Sequence, residues 1–275
     1  MPYRHAHYFL FAVLLVIAVG FWASYFARVG GGPMPLAFHV HAVSSMAWIG
    51  LLIAQHVAIH RRANALHRQM GMASFALFPL LLLGFMMILN LSAERYAAQE
   101  SPFIMYVGPS FFFGMVVSNA AYLTLFYLAM KHRRNVKLHA GYMLATPMIL
   151  FESPFSRIIG DWIPWMNVIG SEGMHGLLDS IVIGDMIMVA FAAVLYLRDR
   201  KHGAPWLVAI FFLLLQSLVM WNAPFVGGLG PVFAAYTAVP DAITASLGLA
   251  MGAAAGWLGW QAGKPPERGR PAMAA

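Results

Sequence analysis

Cysteine is absent from this chain of 275 residues, and charged residues make up only 10% of it. The lack of cysteine excludes disulfides, thiolate metal sites, iron–sulfur clusters and cysteine nucleophiles. The scarcity of charge accompanies a hydrophobic fraction of 61%, which is more apolar surface than a soluble domain of this size can bury. The composition therefore predicts an integral membrane protein.

Several function classes lack their sequence signatures. No lysine lies within a predicted span to form a retinal Schiff base, and there is no phosphate-binding loop, dinucleotide fingerprint or serine-hydrolase elbow. The net charge of +7 would suit a nucleic-acid partner in a soluble protein, but its distribution along this chain indicates membrane topology instead. We expect a lipid bilayer as the main partner and no nucleic acid.

Eight apolar stretches are long enough to cross a bilayer, which takes about 20 helical residues. They cover residues 8–27, 38–59, 70–91, 103–130, 138–158, 174–197, 205–221 and 241–260. Residues 231–239 either belong to the last stretch or form a separate interfacial segment. We predict an all-α, polytopic membrane helix bundle of about eight transmembrane helices, forming a single domain over residues 1–260.

The basic residues are distributed unevenly across this topology. Of the 17 Lys and Arg residues, only Arg28, Arg95 and Arg157 lie toward one side, which leaves 14 on the other. The positive-inside rule makes the richer side cytoplasmic. We therefore predict a multi-pass protein of the bacterial inner (plasma) membrane with both termini cytoplasmic, the first span retained as an anchor, and residues 261–275 as a disordered cytoplasmic tail.

One octapeptide occurs twice in the chain. Residues 60–67 read HRRANALH and residues 132–139 read HRRNVKLH, each in a short polar gap between two apolar stretches. The pattern predicts a duplicated, parallel membrane hairpin over about 38–91 and 103–158. The alternative is that short cytoplasmic loops favour arginine pairs without any duplication.

The repeat places His67 and His139 at equivalent depths on the same membrane face, each at the start of a span. Two imidazoles on separate helices can ligate a haem iron. They can equally lie at a basic membrane interface beside acidic lipid headgroups. On the residues alone, both interpretations stay open.

A second polar group falls in the outer third of the spans, where buried polar side chains are costly. It contains His41, Glu152, His175 and Asp179. Glu152, His175 and Asp179 are ligand types suitable for zinc or iron. The alternatives are a His–Asp pair without metal, and an internal ion pair between Glu152 and Arg157.

Two further residues are notable in the membrane-spanning stretches. Pro154 is predicted to kink or end the fifth span, because it cannot continue the helical hydrogen bonds. Asp185 lies deeper within the sixth span, where a carboxylate needs a partner, and we expect Arg157 or a histidine beside it.

Parts of the sequence resemble a known signature. The segment from His41 through Trp48 and Gln55 to residues 66–71 (LHRQMG) resembles uncharacterised bacterial multi-span membrane proteins, which are described only as domains of unknown function. Residues 138–146 (LHAGYMLAT) are similar to the second half of that signature. The resemblance covers about residues 38–197 and implies no established activity.

A more distant similarity is to the di-haem transmembrane cytochromes b that act as ferric or ascorbate-linked reductases. That family places one histidine on each of four consecutive helices and pairs alternate ones, which implies that His67 pairs with His139. Span four has no histidine. The resemblance therefore implies an outer pair formed by His41 on span two and His175 on span six.

These observations give three functional hypotheses. The first is a b-type haem-binding membrane electron-transfer protein or oxidoreductase, with haem b held by the inner and outer histidine pairs and with a quinone or redox partner. The second is a metal-dependent membrane hydrolase or lipid-modifying enzyme, with zinc or iron at Glu152, His175 and Asp179. The third is a transporter or assembly factor without a cofactor.

Overall fold

Helices follow one another along residues 3–265, the part of the chain that the computed structural model describes. The α-helices are α1 (Ala6–Gly20), α2 (Leu36–His60), α3 (Asn64–Ala97), α4 (Pro102–Lys131), α5 (Val136–Ile149), α6 (Glu152–Asp161), α7 (Gly176–Arg198), α8 (Ala204–Asn222), α9 (Leu229–Tyr236) and α10 (Asp241–Ala262). Single 3-10 turns lie in several of the connections. The predicted all-α class is confirmed for these residues.

Six helical stretches among residues 3–265 are long and apolar enough to cross a bilayer. They are Leu36–His60, Asn64–Ala97, Pro102–Lys131, Gly173–Arg198, Ala204–Phe225 and Asp241–Ala262. The chain is therefore a multi-pass membrane protein. Of the eight predicted spans, the first corresponds to the shorter apolar helix α1, which has 15 residues, and the fifth is divided between α5 and α6.

The break in the fifth span lies before Pro154 rather than at it. α5 ends at Ile149 and α6 begins at Glu152, so Pro154 occupies the first turn of α6. A proline is tolerated there because the N–H groups of the first turn have no helical acceptor. In one continuous helix, Pro154 could not donate to the Leu150 carbonyl, and that is where the helix is interrupted.

Short polar side chains set the start of two helices. The hydroxyl of Ser101 accepts a hydrogen bond from the Ile104 N–H at the start of α4, and Pro102 follows it at the first helical position. The side chain of Asn135 accepts from the Leu138 N–H at the start of α5. These caps separate α4 from the helices on either side of it.

Contacts between helix ends define two ends of the bundle. At the first, which we call the basic end, hydrogen bonds join His7 to His56, Arg133 to the Trp260 carbonyl, and Lys137 to Asp199. At the opposite end they join Tyr25 to His39, Tyr106 to His175, and Asn90 to the Asp241 carbonyl. Both copies of the repeat lie at the basic end.

Glycines allow the long helices to approach one another closely. A Cβ added to Gly252 of α10 would lie 2.7 Å from the Pro79 Cα of α3, and one added to Gly259 would lie 2.5 Å from the Tyr127 carbonyl oxygen of α4. Small residues at helix interfaces are typical of membrane bundles, where packing rather than water drives association. The core between these helices is aromatic, with the Phe78 and Phe126 rings stacked at 4.0 Å.

The end of the chain departs in detail from prediction. Residues 231–239 do not extend the last span, because α9 is a separate short helix. α10 continues to Ala262, two residues into the segment predicted as the tail. The remainder of that predicted tail, residues 266–275, lies outside the described residues.

Candidate functional site

The two inner histidines of the repeat lie in one neighbourhood at the basic end. His139, in the first turn of α5, donates from Nδ1 to the Ala129 carbonyl oxygen at 2.9 Å, so its Nε2 carries the lone pair. His67, in the first turn of α3, has a buried Nδ1 without a hydrogen-bond partner among residues 3–265.

The outer histidines lie in different surroundings. His41 is on α2 against the Phe85 ring of α3, at a centroid distance of 5.3 Å. His175 lies between the rings of Trp221 and Phe225, and its Nδ1 is 3.0 Å from the Tyr106 hydroxyl. Within the described chain, no hydrogen bond or ring contact joins His41 to His175.

The carboxylate of Asp179 has a structural role. Its carboxylate accepts hydrogen bonds from the Ser171 N–H at 2.7 Å, the Ser171 hydroxyl at 2.8 Å and the Trp221 indole N–H at 3.0 Å. The carboxylate thereby holds the loop before α7 against α8. Among residues 3–265 no three His, Asp or Glu side chains are arranged to hold a metal ion, so Glu152, His175 and Asp179 are not gathered into a site.

A buried polar network lies instead between α4, α6 and α8. The Ser118 hydroxyl donates to the Gln216 side-chain carbonyl at 2.7 Å, and the Gln216 amide donates to Glu152 Oε1 at 3.0 Å. All three side chains are at most 5% exposed. A carboxyl group of α6 is therefore tied to two other helices inside the bundle.

A second carboxyl group lies beside this network. Asp185 of α7 is fully buried, and its Oδ2 accepts from the Ser217 hydroxyl at 2.8 Å. The backbone of Gly184 packs on Glu152, because an added Cβ would lie 3.0 Å from the Glu152 Cα. Asp185 directly follows Gly184, so the two carboxyl groups belong to residues at the same contact between α6 and α7, and neither Glu152 Oε2 nor Asp185 Oδ1 has a hydrogen-bond partner among the described residues.

These side chains share one depth in the bundle. At about 1.5 Å per helical residue, Asp185 and Ser118 lie about 20 Å from the basic ends of α7 and α4, and Gln216 lies about 18 Å from the start of α8. A bilayer is about 40 Å thick with its headgroups. The carboxyl pair therefore lies near the middle of the spans, and Glu152 lies deeper than the outer third in which it was expected.

The ion pair between Glu152 and Arg157 is not formed. The Arg157 guanidinium donates to the carbonyl and hydroxyl oxygens of Ser153 and lies 4.7 Å from the Phe21 ring centroid. The residues expected beside Asp185 were Arg157 or a histidine, and Ser217 is its hydrogen-bond partner instead. A hydroxyl satisfies one oxygen of a carboxyl group without neutralising its charge.

The sequence singled out Glu152 and Asp185 but missed Ser118, Gln216 and Ser217. The signal was available for Gln216, which is a large amide within the otherwise apolar run of residues 205–221. An amide at that depth needs partners on neighbouring helices. Residue spacing in the sequence does not indicate that α4, α6 and α8 are neighbours. Their contact is therefore known only from the structure.

Compared with known proteins, the chain matches no protein-family model, no curated protein and no solved structure. The two resemblances drawn from its motifs stay predictions. The function is therefore inferred from the chemistry of the site.

Proposed function

We propose that the protein is a proton-coupled membrane transporter whose proton-binding group is the carboxyl pair of Glu152 and Asp185. The observation that carries this proposal is the burial of both carboxyl groups near the middle of the spans, each with one oxygen lacking a partner among residues 3–265. Ionisable groups at such depth are costly and mark ion or proton pathways. Each of these two oxygens is a position for a proton.

The broken helix supports the same proposal. Transporters commonly place their coupling sites near the bilayer midplane, where half-helices meet. Here α5 ends and α6 begins at that depth, and Glu152 is the first residue of α6. Pro154 leaves the Leu150 carbonyl without its helical donor, so the interruption lies close to a titratable side chain.

The expected chemistry is the exchange of one proton. Two negative charges close together in a medium of low dielectric repel strongly, so the pair holds a proton in its resting state. When that proton leaves, the nearest compensating charge is Arg157, five residues along α6 from Glu152. Its guanidinium would leave the Ser153 oxygens and pair with the Glu152 carboxylate. This movement would couple proton release to a rearrangement of α6.

Infrared difference spectroscopy of the reconstituted protein tests the proposal. We expect a protonated-carboxyl stretch that titrates with pH and disappears in both Glu152→Gln and Asp185→Asn. Asp241→Asn, which changes an exposed carboxyl group at the opposite end, is the matched control and should keep the band. Absence of such a band in the unchanged protein, or its persistence in both variants, would contradict a proton-binding pair.

We propose that the chain crosses the inner membrane eight times, with α1 and the α5–α6 pair as the two additional spans. Support comes from the end-to-end contacts of the helices and from the concentration of Lys and Arg at the basic end, which the positive-inside rule makes cytoplasmic. Because the chain has no cysteine, single cysteines can be introduced and labelled. A cysteine at Asn64 should react from the cytoplasm, and one at Gly31 from outside.

A second candidate is a haem-binding electron-transfer protein, and one observation favours it. The Nδ1 of His139 is held by a backbone carbonyl, which is how proteins orient an imidazole whose Nε2 binds a metal. His67 and His139 would be the axial ligands, and the haem would supply one-electron transfer. The ligand types fit, and the buried Nδ1 of His67 has no hydrogen-bond partner among residues 3–265.

Visible spectra of protein expressed with ample haem distinguish the two candidates. A haem protein should show a Soret band, with sharp bands after dithionite reduction, that is lost in His139→Ala and kept in His202→Ala. A colourless preparation would overturn the haem hypothesis and leave the transporter proposal unaffected. The outer pair His41 and His175 is not part of this proposal, because the two side chains have separate surroundings.

A further inference from the structure

Three histidines meet where the start of α1 lies against the end of α2, apart from the carboxyl pair. Nδ1 of His7 is 3.1 Å from Nε2 of His56, and their ring centroids are 5.1 Å apart. A hydrogen bond between two imidazoles needs an N–H on one ring and a lone pair on the other. At least one of the two nitrogens is thus already a potential metal ligand.

His60 lies one turn beyond His56, with its ring centroid 4.1 Å from that of His56. Its Nδ1 donates to the His56 carbonyl at 2.8 Å, which fixes the proton on Nδ1 and leaves the lone pair on Nε2. That Nε2 is buried and has no hydrogen-bond partner among residues 3–265. An unpartnered lone pair one helical turn from His56 is available to a metal ion.

We propose that His7 and His56 bind a transition-metal ion at the basic end, with His60 as the third ligand. Zinc–imidazole bonds of about 2.0 to 2.1 Å place two nitrogens of a tetrahedral ion about 3.3 Å apart, and the His7–His56 separation is close to this value. Because no three donors surround a metal position as the described side chains stand, His60 joins by rotating its ring, which gives up the Nδ1 hydrogen bond to the His56 carbonyl.

The ligand set defines the class of ion. Imidazole nitrogens without a carboxylate suit zinc, copper or nickel, and do not suit magnesium or calcium. The imidazole that donates the hydrogen bond between His7 and His56 changes tautomer, so that its lone pair faces the ion in place of its proton. Arg4 and Arg61 lie next to the site in sequence, and their positive charge favours a weakly held, exchangeable ion over a permanent one.

Zinc binding to the full-length protein tests the site directly. The protein is purified in detergent after removal of any polyhistidine tag, stripped with chelator and titrated with zinc chloride by calorimetry and equilibrium dialysis. We expect one zinc ion per chain, loss of binding in His56→Ala, and at least tenfold weaker binding in His7→Ala and His60→Ala. His39→Ala is the matched control, because His39 has a similar hydrogen bond, 3.1 Å to Tyr25, at the opposite end.

Several outcomes would overturn the inference. They are no bound zinc in the unchanged protein, equal binding in His56→Ala, or an equal loss in His39→Ala. Zinc lost in His175→Ala but kept in His56→Ala would move the metal to the outer residues. Gel filtration and circular dichroism establish that each variant is folded, and Glu152→Gln should keep full zinc binding, because the metal site is independent of the carboxyl pair.

Discussion

In the second copy of the repeat (residues 132–139), three polar side chains form hydrogen bonds outside their own helix. Among the described residues, no side chain of the first copy (residues 60–67) does so. Arg133 donates to the Trp260 carbonyl of α10 at 2.8 Å, and Lys137 bonds to Asp199. His139 donates to the Ala129 carbonyl of α4. The corresponding Arg61, Ala65 and His67 make no such bonds.

The difference shows that a repeated motif does not imply a repeated role. In the second copy the polar groups anchor a helix junction to its neighbours, and their hydrogen-bonding capacity is used. In the first copy, Nε2 of His60 and Nδ1 of His67 are buried without hydrogen-bond partners among residues 3–265. Buried polar groups are usually satisfied, so unsatisfied ones are candidates for binding something else. The anchoring copy should therefore govern stability, and the other copy should govern binding.

Truncation of the two equivalent arginines should give the largest contrast. Arg133→Ala removes two hydrogen bonds to backbone carbonyls and the stacking of the guanidinium 4.1 Å from the Trp260 ring centroid. We expect a loss of about 2 to 3 kcal/mol of unfolding free energy. Arg61→Ala should change it by less than about 0.5 kcal/mol, since Arg61 is exposed. Unfolding in mixed SDS micelles measures both, and equal losses would contradict the anchoring role.

Exchange of the helix caps should have the next largest effect. Asn135 caps α5 through its side chain, whereas the equivalent Ala63 at the start of α3 has no side-chain cap. Asn135→Ala should cost about 1 kcal/mol, and Ala63→Asn should stabilise by up to about 1 kcal/mol. The same micelle unfolding series compares them. A stabilising Asn135→Ala would mean that the cap does not set this junction.

The turn of the first copy contains strained backbone that the second lacks. Arg62 has a φ of 60°, in the left-handed region, whereas Arg134 is not among the described residues with positive φ. Arg62→Gly should stabilise by somewhat less than about 1 kcal/mol, because it relieves a strain of about 1 to 2 kcal/mol and loses part of it to chain entropy. Arg134→Gly should destabilise slightly. Opposite signs in the unfolding free energies are the result to look for.

Much of the helical architecture was predictable from hydropathy and from the polar and helix-breaking residues between the apolar stretches. Long apolar stretches predicted α2, α3, α4, α7, α8 and α10 because a bilayer requires them. Pro154 was expected to kink or end the fifth span, and the actual break lies before that residue. A proline restricts where a helix can continue, but it does not determine at which neighbouring residue the helix ends.

The site was less predictable than the fold. Burial cost identified Glu152 and Asp185 as unusual, yet their partners were expected to be charged and are instead Gln216 and Ser217. Inside a bundle, a neutral donor on a neighbouring helix can occupy one oxygen of a carboxyl group without supplying the charge of a cation. Which helices are neighbours depends on packing between small residues, and a sequence alone does not reveal those contacts.

The smallest contrast concerns charge at the repeat. Lys137 and His202 donate to the Asp199 carboxylate and hold its pKa at about 2, whereas Ala65 stands at the position of Lys137 in the first copy. Because the folded-state pKa is lowered, this stabilisation is complete above the ordinary pKa of about 3.9 and is lost as pH falls through about 2. Lys137→Ala should therefore be slightly less stable than the unchanged protein at pH 7, with the difference shrinking towards pH 2. Ala65→Lys, the reciprocal change, should show no such pH-dependent difference in the same unfolding measurement. If it showed one, the effect of Lys137 would reflect general charge rather than its contact with Asp199.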